Sequence, residues 1–139
     1  MKDKLLDNLN DQQILAVKSV LGPIIAVAGA GSGKTRVLTR RVAYLIQEQG
    51  VYPANILAIT FTNKAAQEMK KRVSSLLKKN VEAVWISTFH ALGAKMLRND
   101  IHHLGYERNF QIIDDEDAVV IVRNLMKEND YDLKNFSPK

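Results

Sequence analysis

Cysteine is absent from this chain, which excludes disulfides and thiolate-bound metals. The absence fits a reducing compartment, and the expected place of action is the cytoplasm. Only three prolines occur, and no repeat, low-complexity tract or Gly/Ser-rich linker interrupts the sequence. No apolar run approaches the ~20 residues of a membrane-spanning helix. The opening Met1-Lys2-Asp3-Lys4 mixes charges and lacks the apolar stretch of a secretory signal, so no membrane partner is expected. What remains is 139 residues, 46% of them hydrophobic, the size of one domain with enough apolar side chains for a core. The formal net charge of +5 favours an anionic partner, but it carries weight only once the charges are located.

Residues 28–35 read AGAGSGKT, directly after the apolar run 24–27 and directly before a helical pattern. That order of strand, glycine-rich loop and helix is a phosphate-binding arrangement. Backbone N–H groups of Gly31, Ser32, Gly33 and Lys34 can converge on an anion at the positive end of the helix dipole. Small residues at Ala28, Gly29 and Ala30 let the backbone approach closely, although the usual pattern opens with Gly. Lys34 is expected to reach the terminal phosphates of a nucleoside triphosphate, and the Thr35 hydroxyl to ligate Mg²⁺.

The periodicity predicts an alternation around this loop. Ile14, Val17, Lys18 and Leu21 follow a helical spacing that Gly22-Pro23 would end, and 24–27 reads as a short buried strand. Leu38, Val42, Leu45 and Ile46 share one helix face, with Gly50 and Pro53 past its end. A second strand is expected at 56–61. It leads into a helix through Ala65, Met69, Val73 and Leu76, with Asn63 as the expected cap. A third strand, 84–87, precedes a helix through Ala91, Ala94, Lys95 and Leu97. The pattern predicts an α/β layer with a parallel sheet and helical crossovers. Beyond it, 110–113 reads as extended. Asp114 is expected to cap a helix running to Lys127, with Val119, Val122, Leu125 and Met126 buried, and 129–139 reads as loop.

Several further segments bear chemistry. Gln13 carries one acceptor and two donors, a match to the edge of adenine, though a Gln near a helix start often has no special role. In open α/β sheets ligands gather at the carboxyl ends of strands. There, Phe61 can stack on a base while Thr62 and Asn63 hold phosphates; equally, Phe61 can end a buried strand and Thr62 or Asn63 merely cap. Thr88, Phe89 and His90 follow the third strand, and His90 reads as a phosphate or sugar contact rather than a base. Asp114 to Asp117 resemble an acidic Mg²⁺ motif, but a helix begins there at once, which favours capping. Of the basic residues, Lys70, Lys71, Arg72, Lys78 and Lys79 read largely as a solvated face, with Glu68 and Arg72 paired at i,i+4.

Together these segments resemble the amino-terminal portion of a superfamily 1A DNA helicase of the UvrD/PcrA/Rep family. The resemblance rests on LNDQQ at 9–13, AGAGSGKTRVLTRR at 28–41, ILAITFTNKAAQEMKKRV at 56–73 and WISTFHALGAKMLR at 85–98. Alanine at position 28 is normal in that family. The resemblance implies an incomplete P-loop NTPase (RecA-like) parallel sheet with flanking helices. Residues 1–100 would be the start of the first RecA-like ATP-binding domain, and 101–139 the start of an inserted helical subdomain. It further implies ATP and Mg²⁺ as cofactors, with Gln13 on adenine, Ala28 to Thr35 on the phosphates and Arg36 adding a phosphate or base contact. Phe61, Thr62 and Asn63, then Thr88, Phe89 and His90, would touch single-stranded DNA or a single-strand/duplex junction during 3′-to-5′ movement. The family's Asp-Glu motif, arginine finger and second motor domain have no counterpart in these residues, so negligible ATP hydrolysis and no unwinding are expected of this chain alone.

Two other readings stand beside this one. The chain could be a complete small P-loop NTPase using Asp114 and Asp115 on Mg²⁺, or a non-catalytic module that holds single-stranded DNA without turnover.

Overall fold

The computed structural model describes residues 5–131 and divides into two compact units, Met1–Lys95 and Met96–Lys139. The first unit holds α1 (Asp11–Lys18), α2 (Lys34–Gln47), a 3-10 turn at Pro53–Asn55, β1 (Leu57–Thr60), α3 (Asn63–Leu77) and β2 (Trp85–Thr88). Helix α4 (Phe89–Asp100) begins there and ends in the second unit. The second unit also holds a 3-10 turn at Ile101–Leu104 and α5 (Asp115–Glu128).

Strands β1 and β2 pair in parallel, with Leu57 opposite Trp85 and Thr60 opposite Thr88. The connection between them is α3, as the alternating sequence pattern required. The core lies where α3 and α2 meet this sheet. Met69 and Val73 on α3 pack with Val42 on α2, Ala58 on β1, and Val84 and Ile86 around β2. Met69, Val73 and Val84 are fully buried. Residues 66, 69 and 73 recur at helical spacing, so α3 buries one stripe and leaves Lys70, Lys71 and Arg72 outside. Arg72 pairs with Glu68 one turn earlier, as the i,i+4 spacing predicts.

Three expectations about this unit need correction. Residues 24–27 do not form a buried strand: the segment joins no ladder, and Ile25 and Val27 are 93% and 94% exposed. A strand is made by its neighbours, and among the described residues β1 and β2 pair only with each other. Helix α1 ends at Lys18 with Ser19 as its C-cap, short of Gly22-Pro23, and Leu21 is 90% exposed. The cap of α3 is Thr62, whose hydroxyl accepts from the Ala65 N–H at 3.1 Å, while Asn63 is the first helical residue.

In the second unit α5 starts as expected. Asp114 accepts from the Asp117 N–H at 2.8 Å, and the Asp117 carboxylate accepts in return from the Asp114 N–H at 3.3 Å. This reciprocal capping box satisfies two backbone donors. The expected burial does not follow. Val119 and Met126 are half-buried, and Val122 and Leu125 are exposed, because no described element of the second unit covers that face. The stretch 110–113 forms no strand, and Ile112 and Ile113 are exposed. Of the loop expected at 129–139, everything after Tyr131 lies outside the described residues.

Candidate nucleotide and nucleic-acid site

The glycine-rich loop turns sharply into α2. Gly31 and Gly33 take φ values of +74° and +85°, a left-handed conformation that side-chain-bearing residues resist. Gly33 is the N-cap of α2, and no side chain caps that helix. The contrast with its neighbours is informative. Helices α1, α3 and α5 all begin on a side-chain acceptor, from Asn10, Thr62 and Asp114. The first N–H groups of α2 have no intrahelical acceptor and sit at the positive end of the dipole, a ready anion site.

Lys34 folds back over the loop. Its Nζ donates to the carbonyls of Gly29 at 2.7 Å and Ala28 at 3.0 Å. The ammonium is therefore held by exposed, exchangeable carbonyl contacts within the loop that it follows. Ser32 braces the same turn, its hydroxyl donating to the Gly29 carbonyl at 2.7 Å. One turn into α2, the buried Thr39 hydroxyl donates to the carbonyl of Thr35 at 2.7 Å, fixing the backbone beneath the Thr35 side chain.

Gln13 reaches the loop from α1. Its Nε2 donates to the Ser32 carbonyl at 3.0 Å, and its Oε1 accepts from the Asn10 N–H at 3.0 Å. The Asn10 side chain in turn accepts from the Gln13 N–H at 2.8 Å, completing a capping box. These contacts assign the two ends of the amide. They leave one N–H on Nε2 and one lone pair on Oε1, the donor–acceptor pair that an adenine edge would need. A cavity of about 860 Å³ is walled by Gln13, Ala28, Ser32, Lys34 and Arg41, within the size range of small-molecule sites.

The other candidate residues form a second group. Because β1 and β2 are parallel and in register at Thr60 and Thr88, the tips that follow them leave the sheet at one edge. The Thr88 hydroxyl donates to Asn63 Oδ1 at 3.4 Å and accepts from the Ala91 N–H at 3.2 Å, so it links the two tips and caps α4. Phe61 is 97% exposed and Phe89 66% exposed, and His90 is exposed in the first turn of α4. Two large rings in water beside two helix starts form a surface on which bases can stack. None of these tip residues lines the cavity at the loop. Arg36 lies instead on a separate groove of about 430 Å³ between α2 and α3, with Arg40, Lys71 and Arg72.

Sequence reasoning missed two contributors. Arg41 was unremarkable in the pattern, yet its guanidinium bridges α2 to α1, and no sequence signal reveals such a contact. The Asn10 cap was legible, since Asn followed three residues later by Gln is a capping-box spacing.

Residues 9–139 match the family described as the UvrD/REP helicase N-terminal domain. The chain belongs to the UvrD/Rep helicase family. It is 51% identical over 139 residues to the ATP-dependent DNA helicase PcrA of Bacillus subtilis (strain 168), covering 100% of this chain and 19% of that protein. It is 50% identical over 135 residues to proteins of the same name from Staphylococcus aureus (strain Mu50) and Staphylococcus epidermidis (strain RP62A), covering 97% of this chain and 18% of each. The UvrD-family chain thus spans about a fifth of the length of the curated relatives it matches. Among its described residues no helix is long and apolar enough to cross a membrane, and no group of three His, Asp or Glu residues could hold a metal.

Proposed function

We propose that this chain is the ATP-binding and single-stranded-DNA-binding portion of an ATP-dependent helicase that moves 3′ to 5′ in DNA repair or replication. One observation carries the reading: Gln13 and Lys34 bond to the same uncapped loop at 3.0 Å and 2.7 Å, beside a cavity of nucleotide size. In this reading residues 1–100 are the start of a RecA-like domain whose Walker A loop is 28–35, and 101–139 begin a helical insertion. The loop and first N–H groups of α2 hold the triphosphate, and Lys34 exchanges carbonyl oxygens for phosphate oxygens; Arg36 faces the separate groove between α2 and α3 and is assigned no part in this grip. Thr35 would hold Mg²⁺, which supplies charge neutralisation at the phosphates when bound. Phe61 and Phe89 stack on bases, and Thr62, Asn63, Thr88 and His90 contact the backbone. A DNA substrate implies action in the cytoplasm.

The test is equilibrium binding of MgATP and of a labelled DNA oligonucleotide to the 139-residue chain and to Lys34→Ala. The expected result is a loss of about two orders of magnitude in ATP affinity with DNA affinity little changed, because charge-assisted phosphate contacts are strong. Equal ATP affinity in the two proteins would refute the phosphate-loop assignment. The chain alone is expected to hydrolyse no ATP, and a Lys34-dependent turnover would show that its own residues position water. The small-NTPase alternative gains nothing from Asp114, whose carboxylate is engaged as the α5 cap.

A further inference from the structure

Arg41 lies about two turns beyond Lys34 on α2. Its Nη1 group donates to three carbonyls of the neighbouring helix: Ser19 at 2.5 Å, Ala16 at 2.8 Å and Val17 at 3.4 Å. Ala16 and Val17 belong to the last turn of α1, and Ser19 is its C-cap. A helix leaves these carbonyls without internal partners, and a cation there meets the negative end of the dipole. One terminal nitrogen of the permanently charged guanidinium makes all three contacts, so a single group gathers the carbonyls at this helix end.

Helix α1 is short and packs against α2. It is 8 residues long, and Val17 is its one buried side chain. A helix of that length has no stability of its own in water. It is attached to the loop and its helix at opposite ends, by Gln13 on the Ser32 carbonyl in the first turn and by Arg41 in the last. If the second attachment is lost, α1 can rotate or fray, and the Gln13 amide moves with it.

We infer that Arg41 is the positioning residue for base selection: by anchoring the end of α1 to α2, it sets where the Gln13 amide stands over the loop. It therefore governs the preference for adenine over other bases and leaves the grip on the triphosphate to the loop and Lys34. The inference rests on the nucleotide-binding reading above.

The experiment measures binding of ATP, GTP and inorganic tripolyphosphate, each with Mg²⁺, to the 139-residue chain and its variants. Arg41→Ala is expected to lower the ATP-to-GTP affinity ratio about tenfold, the scale of one or two lost hydrogen bonds, with tripolyphosphate affinity nearly constant. Arg41→Lys, which keeps the charge but carries its nitrogen on a shorter side chain, should fall between. Lys34→Ala should weaken all three ligands together. An unchanged ratio in Arg41→Ala, or a parallel loss of all three ligands, overturns the inference. Where Arg41→Ala does not fold, Arg41→Lys decides: a reduced ratio supports the role and an unchanged one overturns it. A wild-type chain that binds no nucleotide, or does not distinguish ATP from GTP, refutes the base-reading premise itself. Discrimination retained in both variants refutes Arg41 alone.

Discussion

The Thr88 hydroxyl donates to Asn63 Oδ1 across 3.4 Å, joining residues 25 positions apart at the ends of two parallel strands. The bond requires the register that sets Thr60 opposite Thr88. It makes the two tips one surface, with Phe61 and Phe89 exposed on it.

Phe61→Ala should therefore reduce single-stranded DNA affinity by about 1–3 kcal/mol, the worth of one stacked base. The melting temperature should stay nearly constant, because a ring that is 97% exposed packs against almost nothing. Fluorescence anisotropy with an oligonucleotide, beside a thermal melt, measures both. A protein that loses stability and keeps DNA affinity would make Phe61 a structural residue.

Gly33→Ala addresses the loop. Its φ of +85° would cost a side-chain-bearing residue about 1–2 kcal/mol. The added Cβ would also stand 3.2 Å from Gln13 Nε2, which must give way and strain its bond to Ser32. The expected outcome is a lower denaturation midpoint together with weaker ATP binding. Undiminished ATP affinity would mean that the loop reshapes freely.

The acidic run at α5 separates two roles. Asp114→Ala should destabilise the helix by about 1 kcal/mol through loss of the cap. Asp115→Asn should leave Mg²⁺-nucleotide affinity unchanged. Circular dichroism melts and nucleotide titrations with and without Mg²⁺ distinguish the cases. A fall in Mg²⁺-dependent affinity on Asp115→Asn would favour the small-NTPase reading.

Ser87 on β2 buries its hydroxyl with no hydrogen-bond partner among the described residues. Removing that oxygen removes a desolvation penalty of about 1–3 kcal/mol. Ser87→Ala should thus unfold at the same or a higher denaturant concentration than wild type. A clear loss of stability would reveal a partner for this hydroxyl.

Local signals were legible where the answer lies within a few residues. The capping box at Asp114 and Asp117, the Glu68–Arg72 pair and the stripe through Met69 and Val73 all follow from helical spacing. The same logic failed at 24–27, because an apolar run states a need for burial without supplying the strand that satisfies it. It failed again for Val122 and Leu125, whose helix formed with no covering element among the described residues of its unit.

Taken by itself, the sequence determined the family, the glycine-rich turn into α2, the start of α5 on Asp114 and the parallel βαβ crossover, since each depends on short-range geometry and residue chemistry. Only the tertiary structure decided that Gln13 bonds to Ser32, that Asn63 meets Thr88 and that Arg41 closes the end of α1. Those contacts join residues 19, 25 and 25 positions apart. No local pattern encodes them, because packing of distant elements against one core brings such side chains together.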